Sequence, residues 1–213
     1  MIKVHGVHGS PFVRRVLVTL EMKGLGYEIV HQMPFSGDKE YLKINPLGKV
    51  PTLDDDGLIL GDSKVICQYL DDAYPELALY PADVKAKGMA RWYEDLGCGR
   101  IAEMAAGIFF QRFMRPMAFN QEPDEELVER IITKQIPPML DYLESHSPEE
   151  GFIFGDVSQA DLALVSPFVN AAYAGYTVDA DNWPRFAALQ ERVKTLPAVS
   201  AILEQEAKAL GMK

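Results

Sequence analysis

Strand-forming patterns in this chain end at Leu60, and beyond Pro81 every periodic stretch has helical spacing. A chain divided in that way is expected to fold as a small α/β unit followed by a helical one. Ile2-Lys3-Val4-His5-Gly6-Val7 alternates as a strand. A turn follows at His8-Gly9-Ser10-Pro11, and Val13, Val16, Leu17 and Leu20 then keep helical spacing until Gly24 and Gly26. Pro11 suits a first helical position, where its missing N–H costs nothing. Tyr27 to His31 reads as a second strand, and a short helix is expected near Tyr41 and Leu42. Val50 to Asp54 and Leu58 to Leu60 form a hairpin about Asp56-Gly57, and Asp62-Ser63 opens another helix with Val65, Ile66, Tyr69 and Leu70. The stretch Tyr74 to Asp83 carries two prolines and separates the two patterns. The expected division is therefore residues 1–78 and 84–213. In the second part helices are expected over Val84–Met114, Asp124–Glu144, Gln159–Ala174, Trp183–Leu196 and Pro197–Leu210.

Composition narrows the functional classes. The 213 residues carry a formal charge of −10, divided −3 and −7 on either side of Tyr80, so no basic surface is available to neutralise nucleic-acid phosphates. An apolar share of 48% is that of an ordinary globular chain. The longest uncharged run, Leu162 to Val178, is 17 residues and includes Ser166, Pro167 and Asn170, which suits a core helix and a loop better than a membrane span. The N-terminus alternates apolar and polar residues without a continuous apolar stretch, and Cys67 and Cys98 have neither disulfide-framework nor metal spacing. These features predict a cytoplasmic protein with reduced thiols and no metal.

Three segments of the first part are suited to chemistry. Ser10 stands just before a helix, where unpaired N–H groups and the positive dipole end favour an anion; it could equally be a plain N-cap. No Gly-x-Ser-x-Gly elbow surrounds it, and Ser10-Pro11-Phe12-Val13 carries no sulfur, which rules out dithiol exchange through this turn. In Asn45-Pro46-Leu47-Gly48-Lys49-Val50-Pro51-Thr52-Leu53, Pro51 implies an edge strand or a cis turn. A cis turn would let Val50 offer its backbone to an extended peptide, whereas an ordinary loop would serve only the fold. Asp62 and Ser63 could cap their helix, or receive the ammonium and carboxylate of a ligand. In the second part, Ile108, Phe109, Phe110, Phe113 and Met114 are too many large side chains within seven positions to face one core, so with Phe12 some of them could line a cleft. Arg112 and Arg115 interrupt the cluster and read either as solvated charges or as anchors for an anionic substrate. Ser158-Gln159-Ala160-Asp161 has the form of a capping box and is expected to serve folding alone.

Taken together, Ser10 to Arg15, Asn45 to Leu53 and Asp62-Ser63 resemble the glutathione-site motifs of cytosolic glutathione transferases. Phe154-Gly155-Asp156 with Ser158 and Asp161 resembles the capping motif of their helical domain. The resemblance covers nearly the whole chain and is greatest to serine-type classes such as tau and phi, since the first tyrosine is Tyr27 and the first cysteine Cys67. It implies a thioredoxin-like, glutathione-binding domain and an all-helical domain contributing an electrophile pocket. It further implies glutathione as co-substrate, Ser10 as donor to the glutathione sulfur, and Lys49, Val50, Asp62 and Ser63 as tripeptide contacts. The activity implied is conjugation of glutathione to hydrophobic electrophiles by a homodimer. Glutathione-dependent peroxide reduction and a non-catalytic carrier or interaction role are the alternatives. Asp62 departs from the glutamate more common in the family and loses a methylene of reach.

Overall fold

The computed structural model describes Met1–Gly211; Met212 and Lys213, at the end of the expected helical part, lie outside the described residues. Contacts divide the chain into two compact units, Met1–Leu79 joined by the stretch from Leu196 onward, and Tyr80–Thr195. The first unit follows the alternating pattern: β1 (Ile2–Gly6), α1 (Pro11–Met22), β2 (Tyr27–His31), α2 (Lys39–Ile44), β3 (Thr52–Asp55), β4 (Leu58–Gly61) and α3 (Ser63–Ala73). Its sheet has the order β2-β1-β3-β4, with β1 parallel to β2 and the other neighbours antiparallel. Asp56 and Gly57 both take positive φ, as a tight two-residue hairpin with the right-handed strand twist requires, and Asp54 Oδ1 accepts from Gly57 N–H at 2.9 Å. Val4 and Leu53 are sealed beneath Val13, Val16, Leu17, Leu20, Ile66 and Leu70, all 0% exposed, so this core lies between the sheet and the α1–α3 pair.

The second unit contains α4 (Val84–Leu96), α5 (Ala102–Phe109), α6 (Arg115–Phe119), α7 (Glu125–Arg130), α8 (Ile136–His146), α9 (Gln159–Tyr173) and α10 (Pro184–Lys194). The helical run expected to end at Met114 continues to Phe119, and it is relieved by wide π-type turns at Gly97–Ile101 and Phe110–Met114; a third occupies Ile131–Gln135. The second and third precede Pro116 and the Pro137-Pro138 pair, whose missing N–H groups interrupt the regular ladder. α9 is buried from Gln159 through Ala171, and packs against α4, α5 and the first wide turn. Gly97 allows that approach: a Cβ there would stand 2.4 Å from the Ala163 carbonyl oxygen. The capping box forms at the start of α9. Asp161 accepts from Ser158 N–H at 2.9 Å, from Ser158 Oγ at 2.8 Å and from Ile153 N–H at 3.0 Å. Burial nevertheless pushes its carboxyl above the usual range against those hydrogen bonds.

The last helix, α11 (Pro197–Ala209), returns to the first unit and packs on α1.

Candidate functional site

The sheet register gathers the three sequence motifs. His5 pairs with Thr52 and Thr52 with Gly61, so the end of β1, the start of β3 and the end of β4 meet at one end of the sheet. The segments that run on from those three positions are Val7–Ser10, Lys49–Pro51 and Asp62–Ser63. Ligands of open α/β sheets characteristically bind outside the carboxyl ends of parallel strands, and β1 is one of the two parallel strands.

Ser10 is the N-cap of α1. Its backbone is extended (φ −81°, ψ 124°), and its Oγ accepts from Val13 N–H at 3.4 Å, a long and weak bond. Accepting leaves the hydroxyl proton uncommitted, and among the described residues no acceptor takes it. The first turn of α1 contains no acidic side chain to compete for the positive end of the helix. The N-cap and anion-donor readings are therefore compatible: the same oxygen accepts from the helix and can donate outward.

Lys49 is exposed and Val50 is 8% exposed, and the Val50–Pro51 bond is cis. β3 is an inner strand of the sheet, so Pro51 stands before its first paired residue and costs the ladder nothing. The loop is held from inside. Asn45 Nδ2 donates to the Lys49 carbonyl at 2.9 Å and to Thr52 Oγ1 at 2.8 Å. The Tyr41 hydroxyl also reaches the Lys49 carbonyl and lies 2.8 Å from Thr52 Oγ1. Asn45 Oδ1 accepts from Leu47 N–H at 3.1 Å, which closes an Asx-type turn. Among the described residues the Val50 backbone forms no hydrogen bond, so its amide is available to an extended peptide. Asn45 opens the sequence motif, but the bracing role that it shares with Tyr41 is one that motif reading does not single out. Its only sequence signal is an amide and a phenol beside a Pro-Gly loop, where buried polar groups need partners.

Asp62 is exposed, caps α3 by accepting from Lys64 N–H at 2.8 Å, and holds φ +68°, ψ 123°, a conformation L side chains rarely adopt. Ser63, the first residue of α3, is 3% exposed, and its carbonyl accepts from Arg15 Nη2 at 3.4 Å. α1 and α3 are thus tied together close to their N-termini. His5, behind this end of the sheet, is pushed below its ordinary value of 6.5, first by burial and further by Lys3, against the attraction of Asp54. Among the described residues no group of three or more His, Cys, Asp or Glu side chains could hold a metal ion, and no helix is long and apolar enough to cross a membrane.

The apolar cluster of the helical unit divides as its crowding predicts. Ile108 is fully buried, and Phe109 and Phe113 stack half-buried with ring centroids 4.8 Å apart. Phe110, Met117 and Phe119 are 45%, 63% and 56% exposed, and the Phe110 and Phe119 rings lie 6.0 Å apart. Arg112 is engaged by Glu125 at 2.7 Å, and Arg115 donates to Gln111 Oε1 at 2.9 Å. Both arginines thus serve the fold of the unit. Phe12 is half-buried beside Ser10.

The family model for the glutathione S-transferase N-terminal domain matches residues 4–78, and that for the C-terminal domain matches residues 109–206. A glutathione S-transferase of Triticum aestivum is 30% identical over 211 residues, covering 95% of this chain and 92% of the relative. A zeta-class glutathione S-transferase of Euphorbia esula is 32% identical over 92% of this chain and 87% of its own length. Among solved structures, glutathione S-transferase-I bound with the ligand lactoylglutathione aligns at a TM-score of 0.83 and 26% identity, over 95% of this chain and 98% of that one.

Proposed function

Because this chain belongs to the glutathione transferase family, we propose that it binds glutathione at the Ser10 end of its sheet and conjugates the thiolate to hydrophobic electrophiles. One observation carries the reading. Ser10 Oγ stands at the N-terminus of a twelve-residue helix, accepts from that helix, and has its proton free for an anion. Support also comes from the similar glutathione S-transferase-I structure, which was solved with lactoylglutathione bound.

In this reading the Ser10 hydroxyl donates to the glutathione sulfur and the helix end adds its positive potential. A cysteine thiol titrates near 8.5, so little of it is thiolate at neutral pH, and each unit of lowering corresponds to about 1.4 kcal/mol of preference for the anion. Val50 pairs its backbone N–H and C=O with the cysteinyl residue, while Lys49 reaches a tripeptide carboxylate. Asp62 and Ser63 hold the γ-glutamyl end. The thiol proton leaves to solvent, and the sulfur lone pair then forms the new C–S bond. In a substitution, the leaving group departs with its electron pair. The helical part from residue 84 contributes the electrophile pocket. The protein is cytoplasmic and homodimeric in the same reading.

Ultraviolet titration of bound glutathione tests it. A thiolate pKa well below that of free glutathione, abolished in Ser10→Ala with glutathione affinity kept within about threefold, is the expected result. Binding without a shift means a carrier. A shifted pKa with turnover of organic hydroperoxides, and none of aryl halides, means a peroxidase.

A further inference from the structure

α11 lies near the end of the chain, yet it holds the Ser10 turn from both sides. Glu206 Oε2 accepts from Arg14 Nε at 2.9 Å and from Arg14 Nη2 at 2.7 Å, with side chains 2% and 0% exposed. Arg14 follows Ser10 by one helical turn, and its N–H donates to the Ser10 carbonyl at 2.9 Å. Leu210 follows Glu206 by one turn, and its N–H donates to the Glu206 carbonyl at 2.9 Å. The Leu210 side chain lies against Gly9: a Cβ built there would stand 3.3 Å from either Leu210 methyl carbon. The residue before Ser10 and the residue one turn after it are thus both fastened to α11.

The Ser10 cap is too long, at 3.4 Å, to hold this turn by itself. Buried ion pairs add little net stability against apolar replacements, and their best-attested use is to fix one register among several. We infer that Glu206 and Leu210 are positioning residues for the sulfur site: through Arg14 and Gly9 they set where the Ser10 hydroxyl points. The inference rests on the reading of Ser10 as donor to the glutathione sulfur. Errors of about 1 Å in a catalytic group cost on the order of a hundredfold in rate, so the grip acts on turnover ahead of ground-state binding.

The test compares Glu206→Ala, Glu206→Gln and Leu210→Ala in the full chain. Each is read by the thiolate pKa of bound glutathione, by kcat and KM with an activated aryl chloride, and by hydrogen exchange of the amides of Phe12, Val13 and Arg14. Glu206→Ala should raise the thiolate pKa by about one unit and lower kcat about tenfold, with KM for glutathione within about threefold. Exchange at the three amides should quicken about tenfold beyond any change in β3 and β4. Glu206→Gln keeps an oxygen acceptor for Arg14 and should recover most of the loss. Leu210→Ala leaves the ion pair intact and should move every readout the same way by less. Should Glu206→Ala fail to fold, the other two variants carry the comparison. Variants that melt earlier but keep wild-type pKa, kcat and local exchange overturn the inference and leave α11 a plain brace. If the wild-type protein does not lower the thiol pKa, the Ser10 reading falls by itself. Exchange at residues 12–14 then decides: quickening upholds the grip, and no change overturns it.

Discussion

Asp62 places backbone strain and ligand binding on one residue, and the two can be separated by substitution. At φ +68° and ψ 123° a side chain pays about 1–3 kcal/mol that glycine does not. Asp62→Gly releases that strain. It loses only a few tenths of a kcal/mol as an N-cap, and about 0.4–1 kcal/mol through the freer unfolded chain. The balance favours the variant by roughly 1 kcal/mol, which in a chain of 213 residues raises the melting temperature by about 2–4 °C. Asp62→Ala keeps the strain and loses the cap on Lys64 N–H, so it should be less stable than the native chain by about 1 kcal/mol. Binding should move differently. Both variants lack the carboxylate proposed for the γ-glutamyl ammonium, and since Asp62 is exposed the loss is near tenfold in Kd, about 1.4 kcal/mol. The assays are thermal unfolding without glutathione and calorimetric titration with it. A glycine variant as unstable as the alanine variant would falsify the strain argument. Unchanged Kd in both would reduce Asp62 to a helix cap.

Two further outcomes follow from the first core and the second. Burial lowers the His5 pKa, so the unfolded chain binds the extra proton first as pH falls. The His5 contribution to stability is thus complete above pH 6.5 and is lost as acidification proceeds through the folded value. Urea unfolding at about pH 7.5 and pH 5.5 should show a smaller drop for His5→Gln than for the native chain, and equal drops would refute the assignment. Gly97→Ala forces a methyl to within 2.4 Å of the Ala163 carbonyl, a backbone atom that cannot swing aside. Overpacking of that kind costs about 1–3 kcal/mol, so its denaturation midpoint should fall, and an unchanged midpoint would mean that α9 shifts freely.

What the sequence discloses here is what is local. The alternation of the first sixty residues, the Asp56-Gly57 hairpin and the start of α1 at Pro11 each depend on neighbours a few positions apart, and each is found where the pattern places it. Ser10 and Asp62 are legible for the same reason, since N-caps are written in single residues. The wide turns before Pro116 and Pro137 are not, because periodicity reads them as ordinary helix. Arg14 and Arg15 are less legible still. Charged side chains are almost never fully buried unless paired, yet both are 2% exposed. Arg14 finds its carboxylate 192 residues away, on a helix that the change of periodic pattern assigns to the other part of the chain. A buried charge advertises its partner only through the fold, so the motif supplies the groups that would touch glutathione while the residues that aim them come from far along the chain. That asymmetry gives the Glu206 and Ser10 variants distinct signatures: Ser10→Ala removes the donor outright, whereas Glu206→Ala leaves every proposed contact group in place and removes only the carboxylate that holds Arg14, one turn beyond the donor.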